Sequence, residues 1–446
     1  MNFSLKKIKI FFLILCVFFL GAHFHKQHLW PFGMGYYGEI KNFKKSFINS
    51  KKLVSEEAHK AEEARKAEEA RKAEEARKAE EARKAEEANR ALLKDIRKSQ
   101  IHNLLIKDLG FNFDHFAILN QKDRTKIDVI GIEGNWEDFF QKISIPLKIF
   151  KLEINFLDGI IKKELLYQIN DNHRATDILL SDNGEILISH LISNENGYNA
   201  LRVFSLIKKD NKFFDKTIYK GEFNSEPLWP THPSAGKMLQ YDNENILLTS
   251  GEHGYPNNVN DFSKILLINF KKPSQFREVY ASVLRNSQGI TYSKSLGLII
   301  ATDHGPQGGD EINNIIRGKN YGWPNVSYGI MPYGEDPEIA AKDKRYGQHN
   351  SFEKPIYSFI PSIGIKAIEQ LPLQNKEFPK WDNNFLVCSK DGIYRLEIVV
   401  EKDVPRVIFT EKLPLKGCRD IQVLDSGAFL TNNGLMITRG SILSVE

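Results

Sequence analysis

The stretch beginning at residue 303 reads Asp303-His304-Gly305-Pro306-Gln307-Gly308-Gly309-Asp310-Glu311-Ile312-Asn313 and continues to Gly318-Lys319-Asn320-Tyr321-Gly322-Trp323-Pro324. Its glycines and prolines predict a long irregular loop, and loops on a rigid scaffold are where function concentrates. Carbonyls in a Gly-Pro turn lie outside any ladder and proline donates no hydrogen bond, so the oxygens of Gly305 and Pro306 can face a hard cation. Asp310, Glu311 and Trp323 also have a plainer reading: two carboxylates capping backbone groups, and an indole packed in the core.

Such a loop needs a scaffold. Upstream of it, residues 297–302 form a short β-rich run, and similar runs recur at 185–190, 246–250, 265–270, 385–387, 394–400 and 428–431. Asp182-Asn183-Gly184, Asp391-Gly392 and Asp425-Ser426-Gly427 read as tight turns between strands. Helical periodicity is nearly absent after residue 100, apart from a short piece near 137–143. Many short, evenly spaced strands predict a sandwich, barrel or propeller. About 340 residues exceed one sandwich, and six equal parts give roughly 55 residues each, a comfortable four-stranded blade.

About fifteen residues before the loop stands Arg285-Asn286-Ser287-Gln288-Gly289. This run, the strand, the His-Gly-Pro-x-Gly-Gly-Asp-Glu-Ile-Asn stretch and Asn320-Tyr321-Gly322-Trp323-Pro324 follow one another in an order that resembles the soluble quinoprotein glucose and aldose-sugar dehydrogenases. The resemblance continues through Pro355-Ile356-Tyr357, Pro361-Ser362-Ile363, Trp381-Asp382, Ser389-Lys390-Asp391-Gly392 and Cys418-Arg419-Asp420-Ile421, and covers about residues 175–446. It implies an all-β fold, a six-bladed β-propeller over residues 105–446, with its first blade inferred from the count alone. It also implies pyrroloquinoline quinone (PQQ) at the propeller mouth, with Ca2+ held by the carbonyls of Gly305 and Pro306.

PQQ carries three carboxylates, so its site needs fixed cations. Arg285, Lys390 and Arg419 stand where the family places them, with Asn286 and Gln288 as hydrogen-bonding partners of the ring or of Arg285. In Thr231-His232-Pro233-Ser234-Ala235-Gly236-Lys237-Met238, His232 occupies the place of the base that takes the sugar C1 hydroxyl proton, a task suited to a group titrating near neutral pH. Glu252 stands where the family has the acid that orients that histidine. Three departures remove cofactor contacts. The turn after His232 is one residue longer than the commonest form, Gly417 stands where many relatives have a second arginine, and no Gln-Gly-Gly element is recognisable near Ala175-Thr176-Asp177.

Composition bounds the rest. The apolar fraction of 41% and charged fraction of 27% are those of a globular protein. A net charge of +5 on 446 residues gives no concentrated basic face for nucleic acid. Cys16 falls in the N-terminal apolar run, so Cys388 and Cys418 allow at most one disulfide in the folded part.

Lys6, Lys7 and Lys9 precede the apolar run 10–22, the form of a secretory signal or uncleaved anchor over residues 1–25. Either form exports the chain, to the periplasmic face. After a linker at 26–54, residues 55–99 repeat Ala-Glu-Glu-Ala-Arg-Lys, all strong helix formers. Glu62 precedes Lys66 by four, the favourable order for helical pairs. Alanine every three residues drifts around the helix and forms no heptad seam, so a solvated single-helix stalk of roughly 65 Å is expected. The leading expectation is an exported quinoprotein dehydrogenase. It would oxidise the C1 hydroxyl of an aldose sugar to a lactone and pass electrons to an unidentified acceptor. The alternative is a non-catalytic stalked propeller that binds a glycan or envelope protein. A lactonase-type propeller would want a calcium ringed by acidic and amide side chains, and no such ring is evident.

Overall fold

The computed structural model describes residues 104–439 except 112, 123–124, 134–145, 157, 171–172, 197, 224–234, 254–259, 273–276, 307, 330–348 and 433–435, together with scattered positions between 62 and 84. The apolar N-terminal segment, the expected helical piece near 137–143 and His232 lie outside the described residues. The chain divides into two compact units, residues 1–91 and 92–446.

In the first unit the described positions between 62 and 84 are helical and exposed or partly exposed to solvent. Arg65 pairs with Glu62 at 2.9 Å and Glu69 at 2.7 Å, and Lys72 with Glu68 at 3.3 Å, the neighbour relations that three- and four-residue spacings create on a helix. Among the described residues no helix is long and apolar enough to cross a membrane.

The second unit is a six-bladed β-propeller. Its blades are four-stranded antiparallel sheets. The first holds β2 (His115–Gln121), β3 (Lys126–Glu133), β4 (Leu147–Asn155) and β5 (Gly159–Ile169). The second holds β6 (His173–Leu180), β7 (Ile186–Ser193), β8 (Asn199–Lys209) and β9 (Lys212–Lys220). The third holds β10 (Ala235–Gln240), β11 (Asn245–Ser250), β12 (Lys264–Asn269) and β13 (Arg277–Ser282). The fourth holds β14 (Gly289–Ser293), β15 (Leu298–Asp303), β16 (Asp310–Asn314) and β17 (Tyr357–Phe359). The fifth holds β18 (Ile365–Gln370), β19 (Phe385–Ser389), β20 (Ile393–Glu401) and β21 (Val404–Lys412). The sixth takes β22 (Ile421–Val423), β23 (Phe429–Thr431) and β24 (Met436–Arg439), and is completed by β1 (Leu105–Asp108) from the other end of the domain. That closure was not foreseen, because only tertiary pairing reveals it. It ties first strand to last and so closes the ring.

Hydrophobic cores lie between the faces of successive blades. One joins the sixth blade to the first through Phe116, Val129, Leu152 and Leu430, and another joins the fifth to the sixth through Trp381, Leu386, Ile421 and Phe429. A strand flanked by two blades is buried on both sides, which is why residues 127–132 of β3, Asp128 included, are buried without a break whereas outer β9 largely alternates. One cavity of about 510 Å³ is bounded by residues of β2, β6, β10, β14, β18 and β22, so the first strand of every blade lines the central channel. Asp310 and Glu311, expected in a loop, belong to β16, because the irregular segment after β15 is only residues 304–309.

Candidate active site

Antiparallel pairing sets which loops meet. The start of each channel strand lies beside the end of the next: Ala235 opposite Ser250, Gly289 opposite Thr302, Ile365 opposite Ser389. Glu252, Arg285, Asn286, Gln288, Gly305, Pro306, Lys390 and Arg419 all occupy such ends, so the fold gathers them on one face.

The centre of that face is a buried network around Arg285. The Asp303 carboxylate accepts from the backbone N–H of Arg285 at 2.8 Å and of Asn286 at 2.5 Å. Arg285 Nη1 donates to the carbonyls of His304 and Gly305, and Nε lies 3.3 Å from Glu252 Oε1. Glu252 Oε2 accepts from Trp323 Nε1 at 2.7 Å, and the guanidinium lies over the indole at 5.4 Å. Asn286 Oδ1 accepts from Ala235 N, fastening the start of β10 to this network. The carboxylate expected beside Arg285 was a cofactor's; here Glu252, fully buried, stands there. Asn286 anchors backbone rather than reaching open space.

The Gly305-Pro306 turn is fixed from below. Asp310 accepts from Gly305 N with one oxygen and from Ile363 N and Ile365 N with the other. Ser362 Oγ accepts from Gly308 N and Gly309 N and donates to Pro306 O. A Cβ on Gly305 would stand 1.8 Å from Gly309 O, so no other residue fits. A cavity of about 10 Å³ is bounded by Asp303, Gly305, Pro306 and Glu311 among others. Burial, then the neighbouring Asp303, pushes the Glu311 carboxyl up to about 8. These oxygens are donors of the kind a hard cation takes, and Arg285 lines the same space and already donates to the Gly305 carbonyl.

Toward the channel the charge changes sign. Arg174 at the start of β6, only 5% exposed, joins Arg419 and Gln288 around a second small cavity. Lys366 on β18 lies within Coulombic reach of Arg419, Lys390 and Arg174; burial and those three charges lower its ammonium to about 8. Burial, then repulsion from Arg419, also lowers Arg174. The guanidinium of Arg419 falls to about 10 by burial, against the pull of Asp114 and Asp420. Four cations thus converge with Asp114 as the acid shared by both arginines, itself raised by burial. Arginine does not deprotonate in proteins, so both guanidinium groups stay charged at this mouth. Arg174 and Lys366 were missed in the sequence. The available signal was a charged residue at the head of an otherwise apolar strand.

Beneath this site the channel is plugged. Lys237 Nζ donates to Asp177 Oδ1 and Asp420 Oδ1, both at 2.8 Å, and lies 3.3 Å from His115 Nδ1. Burial drives His115 down to about 3, with Lys237 adding to the effect. Burial alone would raise Asp420, but Lys237 and His115 outweigh it and hold it well below the carboxylate range; Asp177 rises to about 6 through burial. His115, Asp177 and Asp420 have the donor set of a metal site, yet the Lys237 ammonium already takes the cation's place between both carboxylates.

A closed six-bladed propeller with a cation-rich mouth above a plugged channel is the class of protein that fold and site define. Residues 180–433 match the Glucose / Sorbosone dehydrogenase family, and the chain belongs to it. It is 28% identical over 193 residues to an aldose sugar dehydrogenase of Escherichia coli, covering 39% of this chain and 50% of that protein. It is 43% identical over 119 residues to the quinoprotein glucose dehydrogenase B of Acinetobacter calcoaceticus, covering 27% of this chain and 22% of that one. These matches span at most half the relatives' length. The solved apo-form of the soluble E. coli aldose sugar dehydrogenase superposes with a TM-score of 0.57 at 17% identity, over 76% of this chain and all of that one, a likeness of fold.

Proposed function

We propose that this chain is an exported PQQ-dependent dehydrogenase that oxidises the C1 hydroxyl of an aldose to a lactone. The observation that carries the reading is the convergence of Arg174, Lys366, Lys390 and Arg419 at the propeller mouth, where positive charge outweighs the acid beside it. A tricarboxylate fits that surplus, since carboxylates form charge-assisted hydrogen bonds with fixed cations. Family membership supports the same reading.

When bound, PQQ would supply the hydride acceptor, and calcium a Lewis acid beside it. The chain's own part is positional. Arg419, Lys390, Arg174 and Lys366 hold carboxylates, and Gln288 lines the same cavity. Gly305 and Pro306 offer carbonyls to calcium from a turn braced by Asp310 and Ser362. Arg285 keeps that turn in place through its two carbonyl contacts, with Glu252 as its counter-ion. His232 is assigned the base that takes the C1 hydroxyl proton from the sugar. The Lys237 plug closes the channel beneath the reacting atoms.

Export is supported by the basic-then-apolar N-terminus and by the disulfide between Cys388 and Cys418, a bond favoured outside the cytosol. The same N-terminus is proposed to attach the protein to the membrane. Reconstitution tests the enzyme: purified protein with PQQ and calcium should develop the bound-quinone absorbance and reduce a dye with an aldose. No PQQ uptake with calcium in excess would overturn the reading and leave a binding module. A periplasmic reporter fused after residue 100 should be active.

A further inference from the structure

Two of the four cations stand beside a covalent bond. Cys388 lies in β19, two residues before Lys390, and Cys418 immediately precedes Arg419. They are joined as a disulfide with Cα atoms 5.1 Å apart and a sequence separation of 30. Both are buried in the core between the fifth and sixth blades, at 0% and 4% exposure. The backbone around the bond is clamped as well. Cys418 N donates to Ser389 O at 3.1 Å, and Lys390 N donates to Gly364 O at 3.0 Å. Gly417 approaches so closely that a Cβ there would stand 2.3 Å from Ser389 O and 2.6 Å from Lys390 O. Where many relatives have a second arginine, this chain has no room for any side chain. Arg419 N, on the far side, donates to Asn432 Oδ1 at 2.8 Å.

Lys390 and Arg419 carry like charges on two loops that meet at Ser389 and Cys418, and both charges act on the buried Lys366. Without a tie, the spacing of the two cations would be free to spread. We propose that the Cys388–Cys418 disulfide, with the Gly417 contact beside it, is the positioning device of the anion site: it fixes Lys390 and Arg419 at the spacing a polycarboxylate bridges. The inference rests on the anion-site reading above. A preorganised pair binds its ligand without first being ordered, so loss of the tie appears in affinity rather than in chemistry.

The test uses the full chain. Cys388→Ala/Cys418→Ala is expected to weaken PQQ binding, followed by absorbance titration with calcium, about tenfold or more. Turnover at saturating PQQ should change less than about twofold. Gly417→Ala, which keeps the disulfide but wedges the loops apart, should weaken binding in the same direction. Leu371→Ala, in the same core and remote from the cations, controls for stability: it should lower Tm while leaving affinity unchanged. Citrate, a tricarboxylate with no quinone, reads the anion site alone. If wild type binds citrate but not PQQ, the dehydrogenase reading fails and the disulfide dependence of citrate binding still decides this proposal. Wild-type affinity in the cysteine double variant, or equal loss in Leu371→Ala, would overturn it. So would failure of wild type to bind either anion.

Discussion

Arg285 Nη1 donates to the carbonyl oxygens of His304 at 2.8 Å and Gly305 at 3.1 Å, so the arginine of one motif props the turn of the next. Its other flank faces Glu252, which no solvent reaches. Removing one partner of a buried pair strands the other charge, at a cost of about 3–5 kcal/mol. Arg285→Ala is therefore expected to lower Tm sharply in the protein without PQQ, and Glu252→Gln in the same chain should restore part of it. Denaturant melts measure this; an unchanged apoprotein with lost PQQ binding would instead make Arg285 a direct ligand partner.

Arg174 and Lys366 should show opposite effects on stability and binding. Each repels the other and Arg419. Arg174→Met and Lys366→Met are expected to stabilise the apoprotein, because mutual repulsion is relieved, yet to weaken PQQ binding by roughly 10- to 100-fold each, the worth of a hydrogen bond to a charged group. Thermal melts and titrations on the same samples give both numbers. Stability and affinity falling together would mean the two are merely structural.

A pH effect follows from Glu369 on β18, which lines the channel below the plug. Burial, then repulsion from Asp420, raises its carboxyl from the ordinary 4.5 to about 8. Between those values the folded chain keeps a proton that the unfolded chain has lost. Stability therefore falls as pH rises through that window, by on the order of 1 kcal/mol per pH unit. Glu369→Gln should flatten this segment of the stability profile and make the protein more stable than wild type at pH 8. An unchanged slope would show that Glu369 ionises normally.

His232→Ala addresses the proposed base. Loss of a general base typically costs 10²–10⁴-fold, so turnover should fall by at least about 100-fold while the spectrum of bound PQQ persists. Full activity in this variant would move the base elsewhere. His304, at the edge of the same turn and lowered by burial, is then the next residue to test.

The helix of the first unit has ion pairs on its surface, and alanine spaced every three residues makes no heptad seam. A peptide covering residues 55–99 should show high helicity independent of its concentration. A dimer in sedimentation, or melting that shifts with concentration, would contradict a single helix.

By itself the sequence determined seven of the twenty-four described strands, three of their turns and the family. β7, β11, β12, β15, β19, β20 and β23 fall within a residue or a few of the runs expected for them, because strand patterning and Asx-Gly turns are local signals. The long motif also marked loops that the fold gathers at the propeller mouth. Tertiary structure decided what those residues do. Arg285 and Lys390 read alike as cations, yet one is enclosed by Glu252 and Trp323 while the other stands exposed near Lys366 and Arg419, and only the packing of distant strands separates them. β1 closes the sixth blade across more than 300 residues of chain, a pairing no local pattern encodes. Arg174 and Lys366 look like stray charges in apolar strands until the ring brings β6 and β18 around one mouth. Charge type is written residue by residue, but the field at a point is the sum over residues that only the closed fold makes neighbours.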